Sequence, residues 1–188
     1  MTFYNIIFGI LFLGACQAFL ISLSSKTDTW LITLVALMIF NDAVNTAEVV
    51  EQRQFDYTIW MKLIDLASFL VLAATLILLS EGTKNFLDAP IYLALPEFIR
   101  HPSIPPALLL VYCGLVAGWN WTSKDIRKRS EWPWYLISAV SVIVIALLVL
   151  VVLRPVRDEH PALYPLATVI AMVATLGYLF SYTLIKKK

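Results

Sequence analysis

Charge is what this chain has least of. Asp, Glu, Lys and Arg make up 14% of its 188 residues, against ~25% in an ordinary soluble domain. The 14 basic and 13 acidic side chains leave a formal net charge of +1. DNA and RNA would feel no basic field, so nucleic acid is excluded as a partner. Catalytic signatures are missing too: there is no GxSxG elbow, no HExxH and no phosphate-gripping glycine loop. Only two histidines occur, His101 and His160. Both precede proline outside the apolar runs, which argues against a haem held between two imidazoles. No enzyme activity, no cofactor and no metal are expected. A membrane enzyme working through Asp42, Asp65 and Lys62 stays open as a minor reading.

What is present is apolar surface. Hydrophobic residues make up 60% of the chain, more than a soluble fold of this size can hide. A membrane helix needs roughly 20 mostly apolar residues. Six such runs are legible: Phe3–Leu23, Trp30–Val50, Thr58–Ser80, Pro106–Thr122, Trp134–Leu153 and Leu163–Ile185. Lipid offers the backbone no hydrogen-bond partners, so each run must be a helix. The expected fold is all-α, a polytopic bundle of six transmembrane helices forming one integral membrane domain over residues 1–188. The fourth run begins beyond Pro105 and Pro106, and its outer boundary is the hardest to place. Between the third and fourth runs, Leu87, Ile91, Ala94, Leu95 and Phe98 share a face at helical spacing. A short interfacial helix is expected there, with Asp88 as its cap, although Pro96 breaks its continuity.

Phe12-Leu13-Gly14-Ala15-Cys16 looks like a lipoprotein processing site, but Met1–Asn5 carries no Lys or Arg. An ordinary first helix is the expectation. Lys and Arg then set orientation. With the N-terminus cytoplasmic, the inner segments hold Arg53, Lys124, Arg127, Lys128, Arg129 and Lys186–Lys188, eight cations in all. The outer segments hold five: Lys26, Lys84, Arg100, Arg154 and Arg157. The bias places both termini inside, in a plasma or bacterial inner membrane. Trp60, Trp119, Trp121, Trp132 and Trp134 then fall near the inner interface, where indoles settle.

The few intramembrane charges are unevenly placed. Runs one, four, five and six contain none, whereas runs two and three contain Asp42, Glu48, Lys62 and Asp65. A charge at the bilayer centre costs about 2.5–3.5 kcal/mol on insertion scales. Such residues persist where they face protein or water. At ~1.5 Å rise per residue, Asp42 and Asp65 lie ~12 and ~10 Å from the inner edge of an antiparallel hairpin. Glu48 and Lys62 lie within roughly 3–6 Å of that edge. Asn41, Asn45 and Glu48 cluster on one side of the second helix, with Asp42 and Thr46 adjoining, and Lys62, Asp65 and Ser68 stripe the third. The expectation is a polar pocket in the inner half of the membrane. Such a pocket serves a proton, a cation or a small solute, as in a small non-enzymatic transporter or channel. The same residues also read as interhelical hydrogen-bond glue, worth only ~0.6 kcal/mol per contact, or as a signalling switch.

Three further features carry weaker signals. Gly114 and Gly118 form a GxxxG, and Ala167, Ala171 and Thr175 a line of small residues. Both suit close helix packing, within the bundle or in a homo-oligomer. Lys124, Arg127, Lys128 and Arg129 make a basic inner loop that anchors to anionic lipid or recruits a cytosolic partner protein. That second option is the alternative function, a membrane sensor or assembly subunit. The outer histidines, with Glu97 four residues before His101 and Asp158-Glu159 before His160, read as solvated loop residues.

Cys16 and Cys113 fall at similar depth. Paired membrane thiolates at this spacing are similar to those of the small six-helix subunits of sodium-pumping NADH:quinone reductases, over Phe12–Cys16 and Val111–Gly114. Tyr112 stands where that family has Asn, and no glycine-rich loop follows Cys113, so no role is carried over. Both thiols read as small hydrophobes. The segment Gly14–Leu20 also looks like the first helix of multi-helix membrane sensors that precede bacterial regulatory domains. That likeness implies a sensor acting through a separate cytosolic effector.

Overall fold

The computed structural model describes residues 3–24, 29–51, 58–80, 96, 98–99, 101–123, 134–153 and 160–185. Among these the chain is all-helical. It forms α1 (Phe3–Ser24), α2 (Thr29–Glu51), α3 (Ile59–Ser80), α4 (Ile104–Ser123), α5 (Trp134–Leu153) and α6 (Leu163–Ile185). Three of them are long and apolar enough to cross a membrane, over Ile59–Leu79, Ile104–Thr122 and Leu163–Phe180. The described apolar stretches of the others, Gly9–Leu20, Thr29–Val44 and Ser138–Val152, are shorter.

The helix starts follow from local chemistry. Thr58 caps α3: its hydroxyl accepts the Met61 amide at 3.4 Å, and its carbonyl accepts the Lys62 amide at 3.2 Å. Helix α4 begins at Ile104, before Pro105 and Pro106 rather than after them. First-turn amides have no intrahelical partner, so proline is tolerated there. The carbonyl of Ser103 accepts the first α4 bond, from Ala107 at 3.2 Å. Pro165 occupies the first turn of α6 in the same way. The approach to α4 turns at Pro96, whose carbonyl accepts the Ile99 amide at 2.9 Å, and Phe98 is exposed there. The expected interfacial helix otherwise falls on residues 81–95, outside the described ones.

One continuous core joins all six helices. Helix α2 sits at its heart. Leu31, Ile32, Leu34, Val35, Met38 and Ile39 are all buried, on more than one side of the helix. It packs on α1, α3 and α6, and its Met38 carbonyl accepts a 3.4 Å bond from the Tyr112 hydroxyl of α4. Helices α5 and α6 pair extensively, as do α3 and α4. The outside is apolar: Leu13, Leu20, Leu70, Ile145, Val152 and Val173 are exposed. An exterior of this kind suits hydrocarbon.

The two lines of small residues differ. Ala167, Ala171 and Thr175 of α6 are buried. On α4, Gly114 is exposed, and a Cβ added at Gly114 or Gly118 meets nothing within 4 Å. The GxxxG expected to bring helices together is therefore open within the chain. Its glycines make no close approach, because α4 turns Tyr112 and Cys113 inward instead. Ala171→Leu should overpack the core and destabilise by about 1–3 kcal/mol. Gly114→Ala should be neutral or stabilising by up to ~1 kcal/mol. Thermal unfolding in detergent separates the two.

Candidate functional site

The polar residues expected on the α2–α3 hairpin divide into three groups. Asn41, Asp65 and Ser68 are buried, and Asp42 is half-buried. Asp42 and Asp65 lie within electrostatic reach of one another. Lys62 is exposed, so it does not join Asp65 and Ser68 on the inward stripe. Its position one turn from the α3 cap lets the long stem carry the ammonium outward. The side chains of Asn45 and Glu48 lie outside the described residues, as do Lys124, Arg127, Lys128 and Arg129.

Asp65 stands out energetically. Its Oδ2 is buried and has no hydrogen-bond partner. Leaving a buried acceptor unpaired costs about 1–3 kcal/mol, more for a charged one. Three buried threonines show how cheaply a helix avoids that. The hydroxyls of Thr75, Thr168 and Thr175 each donate to the carbonyl one turn back, on Val71, Tyr164 and Ala171, at 2.7, 3.0 and 2.8 Å.

A cavity of about 20 Å³ opens beside the hairpin, between α2, α4, α5 and α6. Met38, Val116, Val140 and Ile143 line it together with Asn41, Tyr112, Cys113, Thr175 and Tyr178, and its exposed surface is mostly apolar. The Asn120 amide donates to the Tyr178 hydroxyl at 2.7 Å, joining α4 to α6. Tyr112 lies within electrostatic reach of Asp42, Asp65, Tyr178 and Cys113, so acidic site and cavity share one polar neighbourhood.

Of this neighbourhood, sequence reasoning had Asn41, Asp42 and Asp65; it also named Ser68, which is buried on α3. It missed Tyr112, Asn120, Thr175 and Tyr178. Asn120 was the available signal, an amide between two tryptophans inside an apolar run. The tyrosines were hidden because they count as hydrophobic. Among the described residues no three His, Cys, Asp or Glu side chains are grouped to hold a metal. Cys16 and Cys113 are both free thiols.

No family model matches the chain, and no curated protein or solved structure matches it.

Tyr178→Phe should remove the Asn120–Tyr178 bond between α4 and α6 and destabilise by about 0.5–1.5 kcal/mol. Combined with Asn120→Leu, the two substitutions should cost less than the sum of their separate effects, because both remove the same bond. Chemical unfolding of the single and double variants checks this.

Proposed function

We propose that this chain is a six-span integral membrane protein, both termini cytoplasmic, that moves a proton, a cation or a small solute through its inner-half polar site. The observation that carries the reading is the buried, unpartnered Oδ2 of Asp65, within reach of Asp42. A carboxylate used only as glue would be expected to spend both oxygens on partners, as the buried threonines spend their hydroxyls. An oxygen kept free inside an apolar bundle suits a site that binds and releases a guest. The exposed indoles of Trp60, at the start of α3, and Trp121, near the end of α4, support one interfacial level at that end. The eight inner cations against five outer ones support the cytoplasmic assignment of that face.

Reconstituted protein should give a flux that collapses in both Asp42→Asn and Asp65→Asn while the variants stay folded. Unchanged flux in both removes the site from the pathway. A reporter-fusion map with both ends outside would reverse the orientation.

The basic run Lys124, Arg127, Lys128 and Arg129 supports a second reading, a sensor or assembly subunit that recruits a cytosolic partner. On that reading a partner co-purifies with the protein and is lost when Arg127, Lys128 and Arg129 are neutralised, with flux indifferent to Asp65→Asn.

A further inference from the structure

We propose that α1 pairs in the membrane with the α1 of a second copy of this chain, through an outward stripe of Ile6, Ile10, Leu13, Gln17 and Leu20, and that Gln17 hydrogen-bonds to the partner's Gln17 within that seam. The proposal takes from the reading above only that α1 crosses the membrane; it is independent of transport.

Helix α1 stands at the edge of the bundle and packs chiefly on α2. The face it turns inward carries Ala15 and Ala18, both buried, with Ile7 and Leu11 packed partly buried against the core. Phe12 is committed to the chain as well, its ring 6.2 Å from that of Phe40 on α2. Another face is open. Ile10, Leu13 and Leu20 keep 65%, 69% and 66% of their surface exposed, and Ile6 and Gln17 are exposed with them. These five residues are spaced 4, 3, 4 and 3 apart. At ~100° per residue they fall within roughly 80° of one another. Such spacing is the repeat of a two-helix seam, in which the side chains of one helix drop between those of the other. Gly9 lies beside the stripe, exposed, and a Cβ added there meets nothing within 4 Å. A second backbone can therefore come close at that point.

The apolar members of the stripe suit lipid as well as protein, so Gln17 decides between them. Its amide offers two N–H donors and a carbonyl acceptor. Among the described residues nothing partners that amide. The exposed serines of α5, Ser138 and Ser141, differ in this, for each has an interaction within the chain. Gln17 lies ~10 Å from the Ser24 end of α1 and ~21 Å from the Phe3 end. That is too deep for a side chain without the long stem of Lys or Arg to reach water. Hydrocarbon offers the amide no partner either.

Whatever covers Gln17 must bring a donor and an acceptor to that depth. A second copy does so by symmetry. Both copies insert the same way round, so a two-fold axis along the membrane normal sets the two α1 helices parallel, with Gln17 level with the partner's Gln17. A primary amide complements itself, the Nε2 of one donating to the Oε1 of the other. One amide in an otherwise apolar seam also fixes its register, because any slip sets it against a leucine or an isoleucine.

The test uses full-length protein, dye-labelled and diluted stepwise in phosphatidylcholine vesicles, with copy number read by single-molecule photobleaching. Wild type should be dimeric. Gln17→Leu, an outward substitution that leaves the core intact, should raise the dissociation constant roughly three- to thirtyfold, the range for one interhelical hydrogen bond. Gln17→Asn keeps an amide and should lose less. In a Cys16→Ala background, Leu13→Cys and Leu20→Cys should cross-link between copies on oxidation, whereas Val111→Cys, on the exposed flank of α4, should not. Monomers at every dilution overturn the pairing; a face reserved for a different protein gives that result. A dimer indifferent to Gln17→Leu, or cross-linked through Val111→Cys instead, overturns it too. A water-soluble maleimide tells these failures from failure of the six-span reading. Leu13→Cys protected from it leaves the span standing, whereas Leu13→Cys labelled by it removes the span and the pairing together.

Discussion

Lipid cannot hydrogen-bond, and that single constraint shapes this molecule. Every polar group between the helices must find its partner inside the protein. The threonines do so within their own helices, each closing a hydroxyl onto the carbonyl four residues back. Asn120 and Tyr178 do so across two helices. Tyr112 reaches the backbone of α2. Against this thrift, one carboxylate oxygen on Asp65 is left over. The bundle can hold it because the hydrophobic core spans all six helices and binds them into one body.

Helix α2 is the member on which the rest lean. Its buried residues face several neighbours at once, and among the described residues it alone places an amide and a carboxylate side by side, the buried Asn41 and the half-buried Asp42. Helix α3 supplies the opposing acid, while α4 and α6 supply the aromatic hydroxyls. No one helix carries the polar neighbourhood, so its assembly depends on the tertiary fold. The open flank of α4 at Gly114 and Gly118 fits the same division: that helix commits its other side, with Tyr112 and Cys113, to the interior.

Much of the helical layout was readable from apolar run length, because hydrocarbon thickness sets a strict ruler. Residues Trp134–Leu153 and Leu163–Ile185 were delimited from composition alone. The α4 start was misread because two prolines look like a stop signal, yet the first helical turn accepts them. Helical phase and hairpin register pointed to Asp42 and Asp65 together, and the two lie within electrostatic reach of one another. The same reasoning failed for Lys62, whose stem is long enough to leave the stripe its Cα occupies. The cavity was illegible, since it needs side chains from helices far apart in sequence, and pairings such as Asn120 with Tyr178 leave no local pattern. The GxxxG brings no helices together within the chain, because small residues permit a close approach without compelling one.

Adjacent residues on a helix point ~100° apart. Asn41 on the cavity wall and Asp42 beside Asp65 are therefore two teeth of one gear. If α2 turns about its long axis, it cannot re-aim one without re-aiming the other. The cavity side and the acid side of the polar neighbourhood are thus geometrically tied through two neighbouring residues of one helix.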